Sequence, residues 1–146
     1  GIDKPFIIQW LKWAESALGY IGLAPVNSLQ PTAELRPLDK TQTDEKDLMP
    51  YVVLVAIEKL AIRDRKSPME VFIELSKQHH PLFTDSTSLK EYIKKFFRLW
   101  AANQWKRERL APSFHLDDLN VDPRSWCRFP ILSGSFTEEL IQLDKL

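Results

Sequence analysis

Helix-start signals and helical periodicity most limit what this chain of 146 residues can fold into. Three times a serine stands three residues before a glutamate, which is the pattern of a capping box at a helix N-terminus. The pattern occurs at Ser67–Glu70, Ser88–Glu91 and Ser135–Glu138. Apolar residues elsewhere recur at helical spacing, and no stretch alternates as a half-buried strand would. The sequence therefore predicts a mainly α chain.

Caps, prolines and apolar stripes together predict five helices and two irregular stretches. The helices run from Lys4 to Leu18, from Leu48 to Ile62, from Pro68 to Lys77, from Leu89 to Arg109, and from the Ser135 cap to about Leu143. A polar, proline-bounded loop spans 23–47, and a second irregular stretch runs from Ala111 to Ser133 within a C-terminal segment that spans 105–133. The apolar stripes predict a core made of Phe6, Trp10, Val53, Ile57, Leu60, Phe72, Leu75, Ile93, Phe96, Phe97 and Trp100.

Composition narrows the classes of function. Lys plus Arg and Asp plus Glu both number 20, so the net charge is zero and bulk electrostatic binding to nucleic acid is not expected. The single cysteine, Cys127, excludes an internal disulfide and favours a reducing, cytoplasmic setting. No apolar run approaches the roughly 20 residues that span a bilayer, and no signal peptide opens the chain. We therefore expect no membrane partner.

The loop 23–47 concentrates hydroxyls and carboxylates, which suit sugar hydroxyls, an amino group or a metal-bound phosphate. Its candidate binding residues are Thr32, Glu34, Asp44, Glu45 and Asp47. The acidic run near its end has a second interpretation, because acidic residues also stabilise the start of a following helix. The loop composition alone leaves both interpretations open.

Basic side chains gather downstream. From Lys90 to Arg109 there are seven basic residues and two acidic ones, and Lys106 with Arg107 lies near the end of this run. These two cations are placed to clamp a phosphate, or simply to complement the negative end of the helix dipole. Arg124 and Arg128 flank a tryptophan and could hold a dinucleotide, or form surface pairs with neighbouring aspartates. No histidine or cysteine has partners typical of a metal site or a nucleophile, so none is predicted.

Several of these stretches together resemble the NAD synthetase family. The family loop reads Pro-(Ser/Thr)-Ala-(Asp/Glu)-Leu followed by Gln-(Ser/Thr)-Asp-Glu, and its C-terminal helix carries His-Lys-Arg or Phe-Lys-Arg. The matching stretches are Pro31–Leu35, Gln42–Glu45, Tyr51, Trp105–Arg107, and Asp122–Arg124 with Arg128. The last of these is similar to the closing segment of the glutamine-dependent members. The set spans nearly the whole chain in the family's order.

The resemblance implies a chemistry. The family amidates deamido-NAD to NAD: ATP adenylates the nicotinate carboxylate, and ammonia then displaces AMP. In glutamine-dependent members a separate glutaminase domain releases that ammonia. The implied ligands are deamido-NAD, ATP with Mg, and glutamine or ammonia. The implied partners are the remainder of the synthetase, the glutaminase domain and further copies in a homo-oligomer.

The same resemblance assigns roles by position. Thr32 is expected against an ATP phosphate or the reacting carboxylate, and Lys106 against a phosphate when the site closes. The acidic residues are expected in a mobile loop that closes over deamido-NAD and excludes water from the acyl-adenylate. The full implied binding set is Thr32, Glu34, Asp44, Glu45, Asp47, Lys106, Arg107, Arg124 and Arg128. No catalytic residue is implied within the chain.

The resemblance also implies a fold. Residues 1–146 are expected to form a single domain or fragment, the helical C-terminal portion of an α/β nucleotide-binding synthetase domain of the adenine nucleotide alpha hydrolase-like type. The family's Ser-Gly-Gly-x-Asp-Ser loop for ATP does not occur in this sequence. The chain alone is therefore expected to be inactive.

Two other interpretations stay open. In the first, the chain is a non-catalytic helical binding module that engages an acidic protein or RNA through a basic flank: Lys90, Lys94 and Arg98. Alternatively, its helical faces build a dimer interface anchored by three tryptophans: Trp10, Trp13 and Trp100.

Overall fold

The structure is a computed structural model, and it describes residues 2–31, 43–109, 111, 114, 116, 119–127 and 134–146. Within these ranges the regular structure is helical throughout and contains no strand, which confirms the mainly α prediction for the described part. The chain forms two compact units, an N-terminal unit (Ile2–Tyr51) and a C-terminal unit (Val52–Leu146). None of the described helices combines the length and apolar character that a membrane crossing requires.

The first helix, α1 (Lys4–Leu18), has the bounds that the sequence predicts. The Asp3 carboxylate accepts a hydrogen bond from the backbone N–H of Phe6 at 2.7 Å, and Pro5 occupies the first turn. The helix ends at Gly19, whose φ of 71° lies in the left-handed region that glycine adopts without steric cost. Local signals at both ends therefore determine this helix.

After α1 the described part of the N-terminal unit contains a 3-10 turn (Ile21–Leu23) and two one-turn helices, α2 (Ala24–Asn27) and α3 (Asp44–Asp47). The Asn27 amide joins α2 to α1, because it donates to the carbonyl of Leu11 at 3.2 Å and to the carboxylate of Glu15 at 2.6 Å. The predicted loop 23–47 thus holds two short helices, and its residues 32–42 lie outside the described ranges.

The apolar stripe of α1 corrects the predicted core. Phe6 is 55% exposed and Trp10 is 47% exposed, and Trp13 on the same helix is also half-exposed. Only Ala14 is buried in α1. Periodicity identifies which face of a helix is apolar, but it does not establish that another element covers that face. The prediction that Phe6 and Trp10 belong to the core is therefore wrong for this chain.

The described residues of the C-terminal unit form six helices and a π-helical turn. They are α4 (Tyr51–Glu58, which begins at the last residue of the N-terminal unit), the π-helical turn (Lys59–Arg63), α5 (Pro68–Ser76), α6 (Pro81–Thr84), α7 (Ser86–Ala102), α8 (Gln104–Arg107) and α9 (Thr137–Asp144). The helix α5 packs against α7 and α9, and α6 packs on α5 and α7. The described residues between α8 and α9 are irregular.

Two helix starts in the C-terminal unit differ in how well they were predicted. The Ser67 box is confirmed, because the Ser67 N–H donates to the Glu70 carboxylate at 2.8 Å and the Glu70 N–H donates to the Ser67 hydroxyl at 3.4 Å. The predicted helix from Leu48 instead begins at Tyr51, directly after Pro50. Proline lacks a backbone donor and suits a helix start better than a helix interior.

The other two predicted capping boxes are wrong. Helix α7 begins earlier than Ser88, because Asp85 caps it by accepting from the Thr87 N–H at 3.1 Å. Helix α9 begins at Thr137, and the residue at its cap position is Phe136, whose ring meets Phe97 edge-on at 4.8 Å. Aromatic packing accompanies this second start in place of a serine cap.

The end of the long helix is also corrected. The predicted helix to Arg109 stops at Ala102, and Asn103 separates it from the single turn α8. Two backbone hydrogen bonds lie at this break. The Asn103 N–H donates to the Leu99 carbonyl at 3.0 Å, and the Lys106 N–H donates to the Asn103 carbonyl at 3.0 Å. The long basic helix is therefore two helices.

Apolar side chains from all the longer helices form the core of the C-terminal unit. The buried set is Val53, Ile57, Ile62, Val71, Leu75, Phe83, Leu89, Ile93, Phe96, Phe97, Leu140 and Leu143. Six predicted core residues are confirmed in it: Val53, Ile57, Leu75, Ile93, Phe96 and Phe97. The remaining three are only partly buried: Leu60, Phe72 and Trp100.

Truncating Leu75 tests this core. Leu75 is fully buried on α5, so Leu75→Ala is expected to lower the free energy of unfolding by about 2–5 kcal/mol through lost burial and a residual cavity. The matched control is Ile73→Ala on the same helix, where the side chain is 42% exposed and the expected change is within about 0.5 kcal/mol. Urea unfolding followed by circular dichroism measures both, and equal losses would contradict the packing described.

Candidate functional site

A cavity of about 570 Å³ lies within the N-terminal unit. Its lining comes from α1, from α2 and the segment that follows it, and from the residues around α3 and the start of α4. The lining residues are Ile8, Leu11, Lys12, Val26, Asn27, Ser28, Leu29, Gln30, Pro31, Thr43, Glu45 and Tyr51. This mixture of an apolar wall and a few polar groups is typical of a small-molecule site.

The helix α3 carries the predicted acidic residues beside this cavity. Thr43 caps α3, because its hydroxyl accepts a hydrogen bond from the Lys46 N–H at 3.3 Å. The Asp44 N–H donates to the carbonyl of Pro31 at 3.3 Å, which joins the cap to the chain that precedes residue 32. The single turn therefore holds Asp44, Glu45 and Asp47 together.

The Asp44 carboxylate accepts two side-chain hydrogen bonds from distant parts of the unit. The Lys4 ammonium donates one of them, and the Tyr51 hydroxyl donates the other at 3.2 Å. The bond from Lys4 holds the pKa of Asp44 below its ordinary value, against the opposing effect of burial. Burial and the charge of Asp44 raise the pKa of Tyr51 to about 12. Asp44 is thus ionised and Tyr51 protonated at neutral pH.

The neighbouring Glu45 is held by a backbone group. Its carboxylate accepts a hydrogen bond from the Tyr51 N–H at 2.8 Å, one of the donors that the first turn of α4 leaves without an intrahelical partner. Glu45 itself is exposed and lines the cavity. The arrangement holds two adjacent carboxylates in defined positions: Glu45 lines the cavity, and Asp44 lies behind the lining residues Thr43 and Tyr51 in contact with the Tyr51 hydroxyl.

The predicted site residues fall into three groups. Asp44, Glu45 and Asp47 share α3 in the N-terminal unit. The predicted basic residues of the described ranges belong to the C-terminal unit: Lys106, Arg107 and Arg124. The remaining three lie outside the described residues and stay predictions: Thr32, Glu34 and Arg128.

Sequence reasoning missed Lys4 and gave Tyr51 no role. Lys4 was recognised only as the first residue of a helix, because its contact with Asp44 joins positions 40 apart and leaves no local signal. Tyr51 was noted only as fitting a family pattern. Its use of both a hydroxyl and a backbone donor is visible only in three dimensions.

Lys106 and Arg107 have different surroundings. Arg107 is 8% exposed, and its guanidinium lies 3.7 Å from the centroid of the Trp100 ring. It donates to the Trp100 carbonyl at 2.6 Å and to the Gln104 side-chain carbonyl, and burial lowers its pKa. Lys106 is exposed, with its ammonium 5.7 Å from the Trp105 ring centroid. Arg107 therefore supports the junction of α7 and α8, whereas Lys106 is available to solvent.

Arg124 forms a two-point contact with Asp122. Its Nε lies 2.9 Å from one carboxylate oxygen and its terminal nitrogen lies 3.0 Å from the other. The Asp122 carbonyl also accepts from the backbone N–H groups of the three residues after Arg124. This contact matches the surface-pairing interpretation of Arg124, and a ligand contact for it stays a prediction.

The basic flank of α7 does not present three accessible cations. Lys94 is 8% exposed, and its ammonium pairs with Glu91 at 2.8 Å and with Asp144 of α9. The hydrogen bond from Asp144 is the main reason that its pKa is raised. Lys90 lies over the Phe72 ring, 5.6 Å from its centroid. The binding-module interpretation is therefore not favoured.

The described acidic residues near the cavity do not form a metal site. No group of three or more His, Cys, Asp or Glu side chains within the described ranges is arranged to hold a metal ion. The carboxylate of Asp44 is already engaged by Lys4 and Tyr51. The described residues around the cavity therefore offer hydrogen-bond acceptors and do not form a metal site.

The Asp44 contacts predict a change in titration. Lys4→Gln is expected to raise the pKa of Asp44, because the hydrogen bond that chiefly lowers it is lost. In the unmodified protein this lowered pKa contributes stability above the pKa of the unfolded chain, and the contribution is lost as the pH falls through the folded pKa. Carbon NMR of the Asp44 carboxyl across an acid titration measures the shift.

The control for this titration is Lys12→Gln, which removes another α1 ammonium that lines the cavity. The pKa of Asp44 is expected to stay unchanged in this variant. An Asp44 pKa that moves equally in both variants would mean that the general charge of α1, and not the Lys4 contact, lowers it.

Comparison with known proteins finds relatives that match most of this chain. No protein-family model matches it. The glutamine-dependent NAD(+) synthetase of Arabidopsis thaliana is 33% identical over 124 residues, and that of Oryza sativa subsp. indica is 34% identical over 125 residues; each alignment covers 83% of this chain and 17% of the relative. The crystal structure of a glutamine-dependent NAD(+) synthetase from Cytophaga hutchinsonii matches with a TM-score of 0.78 and 48% identity.

That structural match covers 99% of this chain and 21% of the Cytophaga protein. The chain therefore spans about a fifth of the length of the relatives that it matches. The structural match extends along both units. The chain belongs to the glutamine-dependent NAD(+) synthetase family and corresponds to a segment of its members.

Proposed function

We propose that the complete protein containing this chain is an ATP-dependent ligase that amidates deamido-NAD to NAD with ammonia taken from glutamine. The observation that carries this proposal is the structural likeness at 48% identity over 99% of the chain. In this reaction ATP adenylates the nicotinate carboxylate with release of pyrophosphate. Ammonia then attacks the acyl carbon, forms the amide bond and displaces AMP.

The acidic pair supplies hydrogen-bond acceptors to the dinucleotide. Asp44 is ionised and Glu45 lines the cavity, so both carboxylates are suited to accept from ribose hydroxyls or an amide of the ligand. Acceptors held in place before the ligand arrives cost less ordering on binding than free side chains do. The proposed lid is the stretch 23–47 that contains them, and its closure would keep water from the acyl-adenylate.

The basic residues take separate parts. Lys106 is exposed and is proposed to contact a phosphate as part of the segment 105–133. Arg107 is buried against Trp100, so its proposed contribution is to orient the turn that carries Lys106. Arg124 would reach a ligand only by exchanging or sharing its contact with Asp122.

The remaining components are proposed to lie in other parts of the protein. These are the α/β nucleotide-binding portion that would hold ATP with its Mg, the glutaminase domain and a homo-oligomeric partner. No step is assigned here to the metal, because the described carboxylates do not form a group that would hold it. A cytoplasmic location fits the single, half-buried thiol of Cys127, because the cytoplasm keeps protein thiols reduced.

The exposed face of α1 supports a longer protein. Phe6, Trp10 and Trp13 are each about half-exposed here, and contiguous apolar surface of this kind marks an interface. We assign this face to contact with another part of the same synthetase.

Hydroxyl-radical footprinting of the complete gene product tests the assignment of this face. Oxidation of Trp10 and Trp13 is expected to be far slower in the native protein than in urea, because native contacts would cover both rings. Mass spectrometry quantifies each site. Native oxidation at about half the unfolded rate, as half-exposed rings would give, would contradict the assignment.

The activity itself is tested with the purified complete gene product, ATP and deamido-NAD, with NAD formation as the readout. Asp44→Asn is expected to lower kcat/KM by roughly 10- to 100-fold, the loss of one hydrogen bond to a charged group. The matched control is Asp64→Asn, whose exposed carboxylate pairs with the adjacent Arg63 at 2.7 Å. It is expected to leave kcat/KM unchanged.

Ammonium chloride in place of glutamine separates two failures. Activity with ammonium alone would support the synthetase half of the proposal and reject the glutaminase half. No NAD from either nitrogen source would reject the proposed reaction.

A further inference from the structure

Tyr51 contacts both predicted acidic ligands, each through a different group. Its hydroxyl donates to the Asp44 carboxylate at 3.2 Å, and its backbone N–H donates to the Glu45 carboxylate at 2.8 Å. Tyr51 also lines the cavity beside α3. A single residue at the first position of α4 therefore restrains two adjacent side chains of another helix.

The restraint matters because α3 is only one turn long. Helices this short have little stability of their own, so tertiary contacts decide where their side chains lie. Adjacent residues on a helix also point about 100° apart, so one anchor rarely reaches both. Tyr51 meets both carboxylates because its backbone donor and its hydroxyl lie at opposite ends of the residue.

The hydroxyl keeps its donor role over the working pH range. The pKa of Tyr51 is about 12, so its proton is present whenever Asp44 is ionised near neutral pH. The other partner of Asp44, the Lys4 ammonium, sits on a flexible and half-exposed side chain. The phenol ring is the more rigid of the two anchors, since it has only two side-chain torsions.

Resting on the proposed function, we propose that Tyr51 is a positioning residue for deamido-NAD: its hydroxyl orients the Asp44 carboxylate toward the bound dinucleotide. Tyr51 itself touches no reacting atom in this proposal. A hydroxyl that acts through Asp44 should matter for ligand affinity, and it should cease to matter once the carboxylate is gone. Packing alone would need only the ring, which phenylalanine also provides.

The test is a double-mutant cycle in the complete gene product, with deamido-NAD as the titrant in calorimetry. Tyr51→Phe removes the bond to Asp44 and keeps the ring and the backbone bond to Glu45. It is expected to raise the Kd by about tenfold, which corresponds to about 1.4 kcal/mol. In the Asp44→Ala background, which leaves the Tyr51 hydroxyl no acceptor at position 44, the same substitution is expected to change the Kd by less than about twofold, because the two side chains act as one unit.

Kinetics and a matched variant complete the design. In Tyr51→Phe the KM for deamido-NAD is expected to rise with the Kd while kcat stays within about twofold, the signature of lost ground-state binding. The control is Tyr20→Phe, which removes a hydroxyl from an exposed tyrosine of the same unit and should change neither constant. Thermal melting confirms that each variant is folded.

The outcomes distinguish a failure of the positioning role from a failure of the proposed function. Equal penalties for Tyr51→Phe with and without the Asp44 carboxylate would overturn the positioning role, and so would an unchanged Kd. Both results would leave the proposed function intact if the unmodified protein makes NAD. A protein that neither binds nor amidates deamido-NAD would overturn the proposed function and this inference with it.

Discussion

The carboxylate of Asp44 is the point on which the arrangement of the N-terminal unit depends. It receives Lys4 from the start of α1, 40 positions away, and Tyr51 from the start of α4, seven positions away, so the starts of two longer helices meet at one charge. A one-turn helix cannot hold such a position by its own backbone bonds. The cavity wall formed by α3 therefore owes its geometry to polar contacts between side chains.

The C-terminal unit is stabilised in a different way. Its helices α5, α7 and α9 bury a continuous apolar core, and its inward-facing charges are paired, as Lys94 is with Asp144. Arg107 is held in another way: stacking on Trp100 and two hydrogen bonds to neutral oxygens partly offset the removal of its charge from water, while its buried Nε makes no hydrogen bond within the described residues. A packed helical unit of this kind is suited to carry Lys106 on a defined turn. The N-terminal unit is suited to present the acceptors of α3.

The sequence predicted well those helix ends that depend on local signals. The Asp3 cap and Gly19 bound α1 correctly, and the box at Ser67 opens α5, because the interactions involved lie within a few residues. The boxes at Ser88 and Ser135 failed where an earlier aspartate or a packed phenylalanine determined the start instead. Capping chemistry is short-ranged, and it yields when tertiary contacts outweigh roughly 1 kcal/mol.

The candidate site shows the same division between local and distant information. The acidic residues of α3 were predicted from their composition and from a family pattern, and the structure brings three of them to one turn. Lys4 escaped notice because nothing in its neighbourhood refers to a carboxylate 40 positions away. Likewise the stripe of Phe6 and Trp10 was correctly recognised as apolar, yet periodicity carries no information about whether a covering surface is present.

That uncovered stripe on α1 has an evolutionary consequence. A helix whose large aromatic side chains find no shelter within their own stretch of sequence makes this segment a poor candidate for exchange between proteins. Transplanted alone, it would expose an apolar surface in its new host. Recombination that kept the segment with its neighbours would be tolerated. A crossover just before α1 would lower the solubility of the product before it affected any activity.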